Sequence, residues 1–151
     1  MTDDLLPEIE INEDEAQAIG RGLFAVARAD GNIHERERAL VSEFFASISN
    51  RPSDLAALDR QGPIAADTLA LALPRGETRQ LFLMTALLLA LCDGDYGKGE
   101  AALIKAYAVA MDVSDADLAL MTTRVKEHML AQLSHLQNVD AAVAVARELK
   151  V

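Results

Sequence analysis

Leu81-Phe82-Leu83-Met84-Thr85-Ala86-Leu87-Leu88-Leu89-Ala90-Leu91-Cys92 is the stretch that decides the fold. Thr85 is its only polar residue, so a helix built from it offers no face to water. A helix that is apolar all round belongs inside a bundle or a membrane. These residues are too few to cross a bilayer, which takes about 20. The segment therefore predicts a central helix with other helices packed around it. Composition agrees. The chain has 151 residues, enough for one domain with a real core, and hydrophobic residues make up 51% of it while aromatic residues make up only 4%. Strands draw on aromatic and β-branched residues, so an Ala/Leu-rich chain favours helix. No strand or hairpin signal stands out.

Outward from that helix, the next residues repeat an earlier passage. Cys92-Asp93-Gly94-Asp95-Tyr96-Gly97-Lys98-Gly99-Glu100 echoes Ala29-Asp30-Gly31-Asn32-Ile33-His34-Glu35-Arg36-Glu37. Each gives Asp-Gly, a bulky residue two places after the Gly, and a Glu seven places after the Asp, at a constant offset of 63. The echo extends both ways. Leu23, Phe24 and Ala27 correspond to Ala86, Leu87 and Ala90, while Leu40, Val41, Phe44 and Ile48 correspond to Leu103, Ile104, Tyr107 and Met111. The unit is a helix, an Asp-Gly loop and a helix, used twice over about 13–49 and 77–111. Two such hairpins packed face to face form a pseudo-twofold arrangement, with residues 50–76 as spacer.

Local signals place the remaining helices. Asn12 is an N-cap, followed by Glu13, Asp14 and Glu15 in a first turn that favours acids. Gly20 and Gly22 weaken the helix they sit in but permit another helix to approach closely. The helix from Glu35 to Ser49 carries a buried stripe of Leu40, Val41, Phe44, Phe45 and Ile48. Two short helices follow, ending near Arg60 and before Pro74. Ser114 caps a helix running to about Leu136, and a last helix covers Val139 to Leu149. The expectation is an all-α, single-domain bundle of seven to eight helices, with 1–11 as an acidic, flexible tail and 12–151 as the helical domain.

Seven acidic residues precede Arg21, where there is no Lys or Arg; subtracting them from the net charge of −10 leaves −3 for the body. No basic patch points to nucleic acid. The single cysteine, Cys92, excludes an internal disulfide and a cysteine-only zinc site. The N-terminus lacks the basic start and apolar run of a signal peptide, so a cytoplasmic protein without membrane insertion is expected.

The loops are the place to look for chemistry. Asp30 and Asp93 each sit near a helix C-terminus, where a carboxylate opposes the dipole by about 0.3–1 kcal/mol. Two causes fit: backbone N–H groups beyond the Gly turn hold the carboxylate, or carboxylates and unpaired carbonyls together hold a hard cation such as Ca²⁺ or Mg²⁺. If His34 and Gly97 are N-caps, Glu37 and Glu100 fall at the capping-box position, with half of each box missing for want of Ser or Thr. An EF-hand is excluded, because the places needing Gly and an acid hold Glu35 and Val41 in one copy and Lys98 and Ile104 in the other. His128 and His135 stand roughly 10.5 Å apart along one helix and read as surface residues. Met111, Met121 and Met129 read as core filler. There is no phosphate-binding loop, and no nucleophile–base pair can be assembled, so an enzyme is not expected.

The Ala-Asp-Gly-x-Ile-x-x-x-Glu pattern at 29–37, with its echo at 92–100, resembles the TerB-like domains of bacterial tellurite-resistance and stress proteins. The N-terminal domain of a membrane-anchored DnaJ-type co-chaperone is similar. The resemblance spans about Glu13 to Leu149. It implies an all-helical, internally pseudo-symmetric fold and a non-enzymatic role as a metal-binding or protein-interaction module, often with membrane-associated complexes. The family's acidic positions fall on Asp30, Glu37, Asp93 and Glu100. The small hydroxyl residue usual before the family's Glu is His34 in one copy and Gly97 in the other. The alternative is an interaction or scaffold domain whose Asp-Gly loops are structural caps.

Overall fold

A computed structural model describes residues 10–29, 35–51, 54–91 and 98–148, with side chains through residue 131. Among the described residues there are seven α-helices and no strand: α1 (Glu13–Ala27), α2 (Glu35–Ile48), α3 (Leu55–Arg60), α4 (Ala66–Ala72), α5 (Gly76–Leu91), α6 (Lys98–Ala110) and α7 (Asp115–Glu148). The all-helical expectation holds.

α1 opens on a complete capping box. The Asn12 side chain accepts from the Glu15 N–H at 2.8 Å, and the Glu15 carboxylate accepts from the Asn12 N–H at 3.2 Å. α1 and α5 form the centre of the molecule, and eleven residues of each are buried, so both helices are covered on nearly every side. Their close approach rests on Gly22, where a Cβ would lie 2.6 Å from Phe82 Cε1. The Thr78 hydroxyl near the start of α5 donates to Glu15 near the start of α1 at 3.2 Å. Contacts at Glu15–Thr78 and at Gly22–Phe82 make the two helices run side by side in the same sense. Thr85, the one polar residue of the apolar stretch, returns its hydroxyl to the Leu81 carbonyl at 2.8 Å.

α2 and α6 each pack against both central helices, α3 and α4 cover α1, and α7 lies on α5 and α6. One large apolar core runs through the molecule, with a smaller cluster of Ala16, Phe45 and Leu58 beneath α3. Three polar devices tie neighbouring elements together. Arg79 donates to the carbonyls of Leu73, Ala70 and Met111 at 2.6, 3.0 and 2.9 Å, satisfying the ends of α4 and α6 with one guanidinium. Tyr107 is fully buried, edge-on to Phe82 with ring centroids 5.6 Å apart, and donates to the Ile64 carbonyl at 2.8 Å. Arg28 grips Asp59 with two bonds of 2.9 and 2.8 Å, and Arg38 approaches the same carboxylate at 3.6 Å.

Two expectations change. The chain end is one continuous helix, α7, where two were expected to meet between Leu136 and Val139. Gln137 and Asn138 supply neither Gly nor Pro, so nothing interrupts the backbone hydrogen bonds. The stripe of α2 is split: Val41 and Phe45 are buried, whereas Leu40 and Phe44, which border an open groove, and Ile48, which lines a neighbouring cavity, are only half-buried.

Candidate functional site

Each of the four helices α1, α2, α5 and α6 places a polar residue third from its start, and all four are buried: Glu15, Glu37, Thr78 and Glu100. Only 3% of Glu37 and 5% of Glu100 is exposed, which is unusual for glutamate. Both sit in a first turn, where backbone N–H groups and the helix dipole favour a carboxylate. Both have interaction partners. The acids that the sequence paired with them, Asp30 and Asp93, lie outside the described residues, as do Cys92, His34 and Gly97. Glu37 and Glu100 are thus placed at helix starts beside the two loops.

Glu15 shows in full what such a residue can do. Besides the capping box, its carboxylate accepts from Arg75 Nη2 at 2.8 Å, Arg75 Nε at 3.3 Å and Thr78 Oγ1 at 3.2 Å. Burial pushes its carboxyl up, but the Arg75 guanidinium, the Asn12 N–H and the Thr78 hydroxyl together hold it below the ordinary carboxylate value. Glu13, two residues earlier and half-buried, is held low first by the Ser49 hydroxyl and then by the Asn50 N–H, at 2.6 and 2.7 Å. It ties the end of α2 to the start of α1.

Among the described residues no three His, Cys, Asp or Glu side chains form a group able to hold a metal. His128 is half-buried on α7, with Nε2 withdrawn from solvent and accepting no hydrogen bond; the side chain of His135 lies beyond those described. Met111 is buried and Met121 and Met129 pack against the core, as filler.

The sequence alone did not locate the surface grooves. One, of about 270 Å³, lies between α2 and α5 over a floor of Leu23, Leu40, Val41, Phe44, Leu88 and Leu89, with Glu43, Ser47 and Thr85 at its edges. A second, of about 530 Å³, lies between α1 and α6 and is bordered by Ala25, Arg28, Gly99, Leu103 and Ala106, with Asp59, Gly62 and Pro63 from the spacer. Leu40 and Phe44, one helical turn apart, carried the only signal, and it read equally as core. Among the described residues no helix is long and apolar enough to cross a membrane. Comparison with family models, with curated proteins and with solved structures finds no match to this chain.

Proposed function

We propose that the chain is a non-catalytic binding module of the TerB-like kind, which holds a divalent cation, Ca²⁺ or Mg²⁺, through duplicated acidic loops and acts through protein partners. The equivalence of Glu37 and Glu100 carries this reading. They are 63 residues apart, each third in its helix, and both buried. The starts of α1 and α5, Glu13 and Gly76, have the same offset, which supports a repeat of two helix–loop–helix units. The grooves support it too: Leu40 and Glu43 in one correspond to Leu103 and Ala106 in the other, and Ala25 to Leu88.

A buried carboxylate needs charge or hydrogen bonds around it. Asp30 and Asp93, which follow α1 and α5 in the sequence, would complete an oxygen-rich set suited to a hard ion. The partners would be proteins in the cytoplasm, including a membrane-associated complex, and not nucleic acid.

The experiment is thermal unfolding with and without Ca²⁺ or Mg²⁺. An ion that binds only the folded chain adds about 2.7 kcal/mol at a hundred times its Kd. Asp30→Asn with Asp93→Asn should remove that gain. No shift with either ion at millimolar concentration overturns the proposal.

Glu15 favours a second reading, a scaffold whose loops are only well-capped turns, because the same third position in α1 is occupied by a glutamate engaged wholly in capping and cross-helix bonds. On that reading Glu37→Ala and Glu100→Ala lower stability and leave the ion response unchanged.

A further inference from the structure

The two halves of the bundle are not covered equally. On the face between α1 and α6 lies α4, packed on both helices. Its Leu69 is wholly buried, as is Leu73 at its end. A Cβ at Gly22 on α1 would lie 3.1 Å from Leu69 Cδ2. Tyr107 on α6 donates at 2.8 Å to the carbonyl of Ile64, two residues ahead of α4.

On the two-repeat reading proposed above, on which this inference rests, the offset of 63 relates Gly22 to Thr85 and Phe44 to Tyr107. Thr85 and Phe44 line the groove between α2 and α5. The place that α4 takes in one half is therefore an open groove in the other. The spacer of residues 50–76 occurs once in the chain, so it covers one face and leaves the counterpart bare. Tyr107 is fully buried as a result, and Phe44 only half-buried.

The differences between the two faces describe the missing element. At about 270 Å³ the groove is smaller than the roughly 300–1,000 Å³ of small-molecule pockets, and suits side chains of a helix laid along it. Thr85 spends its hydroxyl on the Leu81 carbonyl, so that part of the floor asks for apolar contact. Being larger than Gly22, it holds an occupant farther from α5 than α4 lies from α1. Glu43 is exposed at the edge, where the other half has Ala106, and forms no ion pair among the described residues. A basic residue on the occupant complements it.

We infer that the α2–α5 groove docks a short apolar helix of a partner protein, built like α4, with two leucines four residues apart on the floor and a Lys or Arg toward Glu43. A second copy of this chain is the rival occupant.

The probe is a fluorescent peptide copying residues 62–74 with Asp67→Lys and Thr68→Lys, two positions exposed in α4. It is added to the full-length chain in chelator and followed by anisotropy. Binding should be saturable. Leu40→Asp and Ser47→Arg should each weaken it at least tenfold while circular dichroism stays helical, and Ala46→Arg, on the exposed outer face of α2, less than twofold. Glu43→Lys should shift the preference toward the peptide that keeps Asp67 and Thr68. No binding overturns the proposal, as does equal binding to Leu40→Asp and the unaltered chain, the result expected if the peptide merely replaces α4. A dimer in sedimentation that Leu40→Asp dissolves overturns it in favour of the second copy. The cation reading is tested separately: a chain whose melting point rises with Ca²⁺ or Mg²⁺ yet ignores the peptide loses only the docking site.

Discussion

Burial pushes the Glu15 carboxyl up, but Arg75, Asn12 and Thr78 hold it below the ordinary 4.5. A depressed value in the folded state means the stabilisation is present above about 4.5 and is lost as pH falls through the lower folded value. Melting temperature should therefore decline as the solution is acidified below that point, and Glu15→Gln should flatten this limb from a lower plateau. A limb unchanged in the variant would place the sensitivity elsewhere. Burial pushes the Tyr107 phenol up to about 12, with Arg21 pulling the other way. Tyr107→Phe leaves the Ile64 carbonyl without its donor, a loss of about 1–3 kcal/mol in urea unfolding. Gly22→Ala drives a methyl into Phe82 and should cost about 1–3 kcal/mol by the same measurement. A stability equal to wild type would mean that α1 and α5 separate easily.

Helices α4 and α6 end on the same side chain. Arg79→Met removes three carbonyl contacts made by one charged group and should destabilise by roughly 1.5–3 kcal/mol, with α4 the first segment to become sensitive to protease. Lysine at this place cannot substitute, since a single ammonium does not span carbonyls of two helices. None of this was legible in the sequence, because the partners lie six, nine and 32 residues from Arg79. The start of α1 was legible, since Asn12 and Glu15 bond across three residues and the signal is local. Ser114 was legible for the same reason, accepting from the Asp117 N–H at 3.1 Å. The end of α6 was legible to within a residue, but not the turn that makes it: Asp112 adopts φ 60, a left-handed turn that Gly usually fills. Asp112→Gly should accordingly stabilise by about 0.5–1 kcal/mol, seen as a higher urea midpoint.

At the scale of the molecule, the composition of one segment was enough to put α5 in the centre, because twelve residues with a single hydroxyl have nowhere else to go. The grooves escaped the sequence because a half-apolar face reads the same whether a neighbour covers it or not. Of the candidate site, the burial of Glu37 and Glu100 extends what their spacing suggested; a capping position does not by itself say how deep a carboxylate sits. The bond between Thr78 and Glu15 has a dynamic consequence. It joins the third residues of the two innermost helices across a separation of 63 in sequence. Neither helix can fray from its start without disturbing the other, so their backbone amides should exchange with deuterium only when the whole chain opens. α1 and α5 should then report one common opening free energy, while α3 and α4 exchange earlier and independently.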